Sequence, residues 1–426
     1  MAATIIKRFR EDFFPLFKKA FQPNILSLIA WQFANYAIPL ALIAHFSRAL
    51  GVEGFGVYGV TLGVINICMI ITDWGFLYSS QRALVENSGD ARREQAIIWE
   101  TITAKLLLAL LCTSVIACAI AWLGFRSVYA LPLAAGIPAL IANVLSLEWL
   151  LRGREKFLAF AIASVIGRLS AVPLAFLAVT APTDAAWAIA VTSFGQFAVS
   201  LLSIALSPEI KWAARQFSVG RSLARVKDGL SLFVPIAAPN LFAVAMPPLI
   251  GFMSGPSEAG LYAGGERIRG AARMLFYPLT VIAYPRINIL RIEDPEKLKS
   301  YVPRLIAIMV VCSGAACGLL ALSAELVVNI LLGKQFHEAI PVLRVLAASA
   351  FVSSVSNLLG TNVLVPFGMN SEFLRTHMLG LLIGFSAIVP LTYAYGALGA
   401  SMGVLLGEFI TLSAQIWCIK YKRPWT

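Results

Sequence analysis

The charged residues that could do chemistry are concentrated in an otherwise apolar stretch just past the middle of the chain. Residues 255–286 are apolar enough to cross a bilayer, yet they include Glu266, Arg267, Arg269 and Arg273. At membrane depth each charge costs about 2.5–3.5 kcal/mol unless it faces protein or water. At 100° per residue, Glu266, Arg269 and Arg273 share one helix face, with Arg267 to the side. This face predicts either a polar cavity for an anion or an internal ion pair of Glu266 with Arg269 or Arg273.

Further cations are predicted at membrane depth in the first half of the chain. Arg168 lies roughly 16 Å into its span, at a rise of 1.5 Å per residue, and Lys105 lies inside another span. Converging cations would suit a phosphate or pyrophosphate group, because a guanidinium binds it through two parallel hydrogen bonds. We therefore predict one set of cations that binds the substrate: Lys105, Arg168, Arg267, Arg269 and Arg273.

Carboxylates inside the spans are candidates for ion coupling. Glu408 falls near the centre of the last predicted span, without a basic residue within one helical turn. A carboxylate at this depth indicates proton coupling, or a protonated side chain hydrogen-bonded inside a helix bundle. Asp73 is the competing coupling site, and Glu266 is a third candidate. Glu100 and Glu148 lie near predicted span ends, where a carboxylate can reach the interface.

The composition excludes a soluble domain. Apolar residues make up 59% of the chain and charged residues 13%, whereas a soluble domain is about one quarter charged. The length of 426 residues could hold about twelve spans of roughly 20 residues each. The net charge of +12 does not indicate a nucleic-acid partner, because most Lys and Arg residues fall in the short gaps between apolar runs.

The apolar runs predict an all-α, polytopic membrane protein with twelve transmembrane helices. The predicted spans are 24–48, 55–78, 97–123, 129–151, 157–179, 185–205, 231–253, 259–285, 303–323, 341–366, 374–395 and 397–419. In this arrangement the outer loops contain only Arg48, Arg126 and Lys334, which predicts that both termini are cytoplasmic. No loop is long enough for a catalytic domain outside the membrane.

The longest connection divides the spans into two groups of six. The predicted parts are an amphipathic interfacial helix at 1–23, an N-lobe at 24–205, a cytoplasmic linker at 206–230, a C-lobe at 231–419 and a basic cytoplasmic tail at 420–426. A motif recurs 204 residues apart, as Gly51-x4-Gly56-x-Tyr58 and Gly255-x4-Gly260-x-Tyr262. Asn35 and Asn240 occupy nearly equivalent positions. Two such lobes would be parallel repeats related by a pseudo-two-fold axis along the membrane normal.

The remaining reactive residues do not predict a metal site or a cofactor. The six cysteines all lie in apolar runs without a CxxC pair, and the three histidines are scattered. No P-loop or glycine-rich nucleotide motif is present. We therefore predict no metal, no cofactor and no disulfide framework.

Several stretches of the chain together resemble one family of membrane proteins. They are Gly51–Tyr58 followed by Asp73–Phe76 and Arg82, then Trp149–Phe157 (WLLRGREKF), then Glu258–Tyr262 with Arg267 and Tyr284–Arg286, and finally Ala339–Leu346. In this order and spacing the chain resembles the polysaccharide (O-antigen-type) flippases of the multidrug/oligosaccharidyl-lipid/polysaccharide exporter superfamily.

The resemblance implies twelve helices in two six-helix lobes around a central cationic cavity. It implies a transporter, not an enzyme, that moves an undecaprenyl-pyrophosphate-linked sugar repeat to the periplasmic leaflet by alternating access. It also implies a multi-pass protein of the bacterial inner membrane, with the lipid-linked oligosaccharide as its partner and other polysaccharide-assembly membrane proteins as further candidates. Arg168, Arg269, Arg273 and Glu408 are chosen by position and charge and not by a family motif, whereas Asp73 lies within a motif that the family shares.

Three alternatives remain open at this point. A membrane polymerase or ligase of the same pathway generally carries a large outer loop with catalytic Arg or His, which this chain lacks. A drug or cation antiporter of the same superfamily tends to have an acidic, aromatic cavity. A scaffold that transports nothing would not need charges at membrane depth.

Overall fold

The computed structural model describes residues 23–208, 210 and 218–422. For residues 23–37, 231–232 and 234–239 it describes the backbone alone. The predicted interfacial helix, part of the predicted linker and the end of the basic tail lie outside the described residues.

The described secondary structure is entirely helical. The first half contains α1 Pro23–Asp73, α2 Phe76–Glu86, α3 Ala91–Leu123, α4 Ala130–Leu145, α5 Glu148–Gly153, α6 Phe157–Leu169, α7 Ala171–Ala178 and α8 Ala185–Ala205. The second half contains α9 Val219–Ser254, α10 Pro256–Met274, α11 Tyr277–Glu293, α12 Pro295–Leu322, α13 Ala324–Leu331, α14 Ala339–Leu359 and α15 Asn370–Lys422. A 3₁₀ turn at Lys334–Phe336 precedes α14, and a π-helical turn at Gly360–Leu364 follows it.

The two longest helices are each divided by a glycine. A helix of 51 or 53 residues would be about 75–80 Å long, whereas the apolar core of a bilayer is about 30 Å thick. Gly51 in α1 has φ 70° and Gly396 in α15 has φ 55°, a left-handed backbone that favours glycine. Each helix therefore turns at its glycine and supplies two of the predicted spans.

The predicted membrane class is confirmed. Among the described residues, eight helical stretches are long and apolar enough to cross a membrane, and they include the two kinked helices. Each of the twelve predicted spans lies largely on helix. The charged span predicted at 259–285 falls on α10 and α11, which are less apolar than the eight stretches.

Four of the predicted spans are interrupted helices, namely 55–78, 129–151, 157–179 and 259–285, and the last two are interrupted just before a proline. The span predicted at 157–179 is interrupted at Ser170, and the span predicted at 259–285 is interrupted at residues 275–276. Pro173 and Pro278 lie just after the two breaks, and proline lacks the N–H that a continuous helix would need there. Apolar composition alone had predicted both spans as continuous.

The two copies of the glycine motif contact each other reciprocally. A Cβ on Gly56 would lie 1.7 Å from the carbonyl oxygen of Pro256, and a Cβ on Gly260 would lie 2.3 Å from that of Val52. Val52 and Pro256 stand 204 residues apart, as do Gly56 and Gly260. Equivalent residues of the two copies therefore exchange equivalent contacts, which supports the predicted internal repeat.

The chain divides into two compact units by its internal contacts. Of the described residues, unit 1 contains 23–39, 68–177, 189–208, 210 and 218–237, and unit 2 contains 40–67, 178–188 and 238–422. In unit 2 the side chains of α11, α12, α14 and the π-helical turn form a hydrophobic core around Val302, Met309 and Leu358. The lobes predicted at 24–205 and 231–419 stay a prediction.

Candidate functional site

The strongest ion pair of the charged stretch joins Arg269 to Glu266 within α10. Two parallel hydrogen bonds connect them, from Nε to Oε2 at 2.7 Å and from Nη2 to Oε1 at 2.8 Å. Arg269 is 4% exposed. The internal pair that the sequence allowed is therefore formed, in the bidentate geometry that makes arginine–carboxylate pairs strong.

Two residues from other helices complete the surroundings of Arg269. Its Nη1 donates a hydrogen bond to the Ser349 hydroxyl of α14 at 3.0 Å. The same nitrogen lies 3.7 Å from Oε1 of Glu408 in α15, which is an ion-pair distance without a hydrogen bond. We call Glu266, Arg269, Ser349 and Glu408 the Arg269 cluster. It brings together one predicted substrate-binding cation and two predicted coupling carboxylates.

A helix cap sets the register that brings Glu408 to Arg269. Oε2 of Glu258 in α10 accepts a hydrogen bond from the backbone N–H of Ala397 at 2.7 Å, just after the kink at Gly396. Arg269 follows Glu258 by eleven residues, and Glu408 follows Ala397 by eleven residues. Eleven residues are about three helical turns, so each residue returns to the face from which its helix started. Two helix segments that start side by side therefore place Arg269 beside Glu408.

Two glycines before Glu266 allow other elements of unit 2 to approach α10 closely. A Cβ on Gly264 would lie 2.7 Å from Cδ1 of Leu332, and a Cβ on Gly265 would lie 3.0 Å from Cδ1 of Leu346 in α14. This approach is possible because glycine has no side chain. It brings α14 near enough for Ser349 to contact Arg269.

The other two arginines of the stretch have different surroundings. Arg267 is exposed, as its position to the side of the predicted face implies, whereas Arg273 is half-buried in the last turn of α10. A cation near a helix C-terminus is stabilised by the helix dipole. Arg273 therefore lies at the end of α10 that favours a positive charge.

Unit 1 contains a second pair of a predicted cation and a predicted coupling carboxylate. Nζ of Lys105 in α3 lies 3.0 Å from Oδ1 of Asp73, and Nδ2 of Asn143 donates to the same oxygen at 3.1 Å. The Lys105 side chain is 4% exposed, whereas that of Asp73 is 53% exposed. The buried ammonium is therefore neutralised by a carboxylate that remains open to its surroundings.

Arg168 stands in the last turn of α6, directly before the break at Ser170. It is half-buried, and the charges of Glu148 and Arg152 act on it. Arg168 and Arg273 share one local arrangement, because each lies at the end of a half-helix and five residues before a proline. The Arg-x4-Pro spacing is a signal in the sequence that could have predicted both breaks.

The predicted cations and the predicted coupling acids are therefore not separate sets. Arg269 is paired with Glu266 and Glu408 in unit 2, and Lys105 is paired with Asp73 in unit 1. An anion that binds to either cation must compete with a carboxylate already in place. The convergence of all five cations in one cavity stays a prediction.

The sequence analysis also did not predict the contacts of Glu100. Its position near a span end predicted a side chain that reaches the interface, but Glu100 is buried and lies 3.0 Å from Nε of Arg225 in α9. The contact joins residues 125 positions apart, so no local pattern could indicate it.

Comparisons with known proteins agree along most of the chain. A family profile described as "Polysaccharide biosynthesis protein" matches residues 21–291. A "Putative O-antigen transporter" of Escherichia coli (strain K12) is 25% identical over 410 residues, which cover 95% of this chain and 98% of that protein. A protein of the same description from Shigella dysenteriae is 28% identical over 401 residues, 93% of this chain and 99% of that protein.

Two solved structures share the fold. One is a multidrug resistance MATE family transporter of the MOP superfamily in an inward-facing conformation, with a TM-score of 0.72 and 16% identity over 95% of this chain and 99% of that chain. The other is the lipid II flippase MurJ in an inward closed conformation, with a TM-score of 0.75 and 12% identity over 93% and 87%. At these identities the likeness shows the fold alone. The family profile spans more than half of the sequence, and the chain therefore belongs to the polysaccharide biosynthesis protein family.

Proposed function

We propose that this protein is a flippase for a lipid-linked oligosaccharide. It moves an undecaprenyl-pyrophosphate-linked repeat unit from the cytoplasmic to the periplasmic leaflet of the bacterial inner membrane, for O-antigen or exopolysaccharide export. The observation that carries the proposal is the family match, together with two relatives described as O-antigen transporters along nearly their whole length. The fold shared with a lipid II flippase supports it.

The cations of the spans bind the pyrophosphate in this proposal. Arg168 and Arg273 are the primary candidates, because each is half-buried at the end of a half-helix. Arg269 and Lys105 contribute in a state in which their carboxylates have moved or taken up a proton. Arg267 is the most exposed of the five cations and makes the smallest contribution.

The carboxylates paired with these cations couple transport to protons. Glu408 is the first candidate, because it makes no hydrogen bond to Arg269 and so loses least when a proton neutralises it. Glu266 has two such bonds to lose, and Asp73 is the candidate in unit 1. Outward movement of an anionic lipid is already favoured by an inside-negative potential, by about 2.3 kcal/mol per charge per 100 mV. The inward proton therefore serves to reset the empty carrier.

Transport of the lipid-linked glycan tests the binding residues. Arg273→Ala or Arg168→Ala should abolish glycan export at a normal protein level, and lysine at these positions should restore it only in part, since it cannot bind a phosphate bidentately. Arg267→Ala is the matched control from the same helix as Arg273 and should retain most of the export. Normal export by both alanine variants would place the binding site elsewhere.

Vesicles with an imposed pH gradient test the coupling. The gradient should accelerate flipping by the wild-type protein but not by Glu408→Gln. A wild-type flipping rate that is unchanged by the pH gradient would rule out proton coupling. A full response in Glu408→Gln would shift the assignment to Glu266 or Asp73.

A drug or cation antiporter is the second candidate function. The MATE-like fold and the two carboxylates around one arginine favour it, since the Arg269 cluster carries one net negative charge. Export of a cationic dye by cells that express the protein, with no effect on the glycan, would support this alternative over the flippase.

Topology reporters test the proposed orientation in the inner membrane. Fusions in the predicted loops near residues 125, 182, 256 and 396 should be periplasmic, and fusions at both termini should be cytoplasmic. A cytoplasmic signal near 256 would contradict the orientation proposed for α10.

A further inference from the structure

Three arginines surround one buried carboxylate at the start of two helices in unit 1. Arg93 of α3 and both Arg221 and Arg225 of α9 lie within 4 Å of the Glu100 carboxylate, and we call this group the Glu100 cluster. Arg225 Nε lies 3.0 Å from Oε2 and donates a hydrogen bond to it. The Nη1 atoms of Arg93 and Arg221 lie 3.6 and 3.7 Å from Oε1, which is too far for a hydrogen bond.

The cluster has more positive charge than Glu100 can neutralise. Three guanidinium groups and one carboxylate leave a net charge of +2. Oε1 of Glu100 is buried and has no hydrogen-bond partner among the described residues. The side chains of Arg93 and Arg221 are 45% and 53% exposed. Two guanidinium groups are thus held close together, open to the surroundings, with hydrogen-bonding capacity that the carboxylate does not use.

The positions of these arginines are unfavourable for the helices themselves. Arg93 lies in the first turn of α3 and Arg221 in the first turn of α9. A helix N-terminus carries a partial positive charge and favours acidic residues or bound anions. Departures from such local preferences are expected where function requires them. The start of α9 therefore adds to the attraction that the cluster exerts on an anion, whereas the start of α3 is already capped by the Asp90 carboxylate, which accepts hydrogen bonds from the backbone N–H groups of Arg92 and Arg93.

We propose that the Glu100 cluster binds the pyrophosphate group of a polyprenyl-linked lipid at the membrane surface, before the lipid enters the transport path. The proposal rests on the proposed function for the identity of the lipid. A pyrophosphate diester carries two negative charges, equal and opposite to the net charge of the cluster. The Nη1 atoms of Arg93 and Arg221 both lie within 4 Å of one carboxylate oxygen, so a single pyrophosphate can accept hydrogen bonds from both.

The residues of the cluster have different roles in this site. Arg93 and Arg221 contact the anion. The hydrogen bond from Arg225 of α9 fixes the position of the Glu100 carboxylate of α3. Glu100 attracts the two exposed guanidinium groups, and it also competes with the ligand for them. Removal of its charge should therefore strengthen binding of the anion.

Equilibrium binding to the full-length protein tests the proposal. The probe is undecaprenyl pyrophosphate in phosphatidylcholine nanodiscs, with bound lipid counted by native mass spectrometry. Arg93→Ala and Arg221→Ala should each weaken binding about tenfold, which corresponds to about 1.4 kcal/mol. Arg92→Ala is the matched control, because Arg92 is an exposed neighbour outside the cluster, and its affinity should stay within about twofold of wild type.

Glu100→Gln separates an anion site from a structural ion pair. An anion site predicts tighter binding by this variant, because the net charge of the cluster rises from +2 to +3. A structural role alone predicts no gain in affinity. Should Glu100→Gln fail to fold, the double variant of Arg93→Ala and Arg221→Ala decides the question, because both side chains are half exposed and their loss leaves the Arg225–Glu100 bond intact.

Competition identifies the source of the phosphate. Inorganic pyrophosphate that competes as well as the lipid would assign the site to a soluble anion and overturn the lipid proposal. Equal competition by phosphatidylglycerol would overturn the preference for pyrophosphate. Unchanged binding in the double variant would overturn the site itself. The readout is binding and not transport, so a protein that fails to export a glycan still gives an informative result.

Discussion

The two carboxylates beside Arg269 should contribute unequally to stability. Glu266 accepts two charge-assisted hydrogen bonds, and a hydrogen bond to a charged group is worth about 1.5–3 kcal/mol. Glu266→Gln keeps one acceptor and should lower the free energy of unfolding by about 2 kcal/mol. Glu408→Gln loses no hydrogen bond to Arg269 and should cost less than about 1 kcal/mol. Arg269→Met leaves two partly buried carboxylates without their cation and should cost about 3 kcal/mol, the lower end of the range for breaking a buried pair.

Equilibrium unfolding in mixed micelles, with increasing dodecyl sulfate, measures these differences. The double variant of Arg269→Met and Glu266→Gln should cost less than the sum of the two single variants. The difference, which is the coupling energy, should be about 0.5–3 kcal/mol, as is typical of residues in contact. A Glu408→Gln variant that is destabilised as much as Glu266→Gln would contradict the assignment of the hydrogen bonds. Additive effects in the double variant would contradict the ion pair itself.

The remaining predictions concern the packing that positions this cluster. Gly260→Ala should destabilise the protein by about 1–3 kcal/mol, because its Cβ would lie 2.3 Å from the carbonyl oxygen of Val52. In the same assay Gly270→Ala should be neutral or stabilising by up to about 1 kcal/mol, since no atom lies within 4 Å of its added Cβ. Equal effects at both glycines would contradict the close contact of the two motifs. Glu258→Ala should cost about 1–2 kcal/mol by leaving the N–H of Ala397 without its cap, and a thermal or dodecyl sulfate titration that shows no loss would refute the cap.

The sequence predicted the helices well because their signals are local. The all-helical membrane class and the family were both predicted, and both are confirmed. Apolar runs long enough for a bilayer predicted twelve spans, each of which lies largely on helix. The recurrence of the glycine motif around Gly56 and Gly260 predicted a repeat, which the reciprocal contact supports. The helix breaks near Pro173 and Pro278 were not predicted, because hydropathy alone does not detect a missing backbone N–H.

The contacts of the candidate site show which interactions local sequence patterns can predict and which they cannot. The pair of Glu266 and Arg269 lies three residues apart on one helix, so helix periodicity alone allowed it. Glu408 was selected by its depth as an isolated carboxylate, yet it lies 3.7 Å from Arg269. That contact depends on the cap between Glu258 and Ala397, which aligns two helices far apart in the chain.

The sequence by itself determined that charges lie on apolar helices, and it determined which residues within one helix share a face. Only the tertiary structure decided which acid neutralises which base: Asp73 pairs with Lys105, and Arg225 of α9 pairs with Glu100 of α3. The physical reason is the separation along the sequence of the residues that interact. Helix formation and membrane insertion depend on residues within a few turns, whereas an ion pair between helices depends on how backbones separated by many residues pack and align.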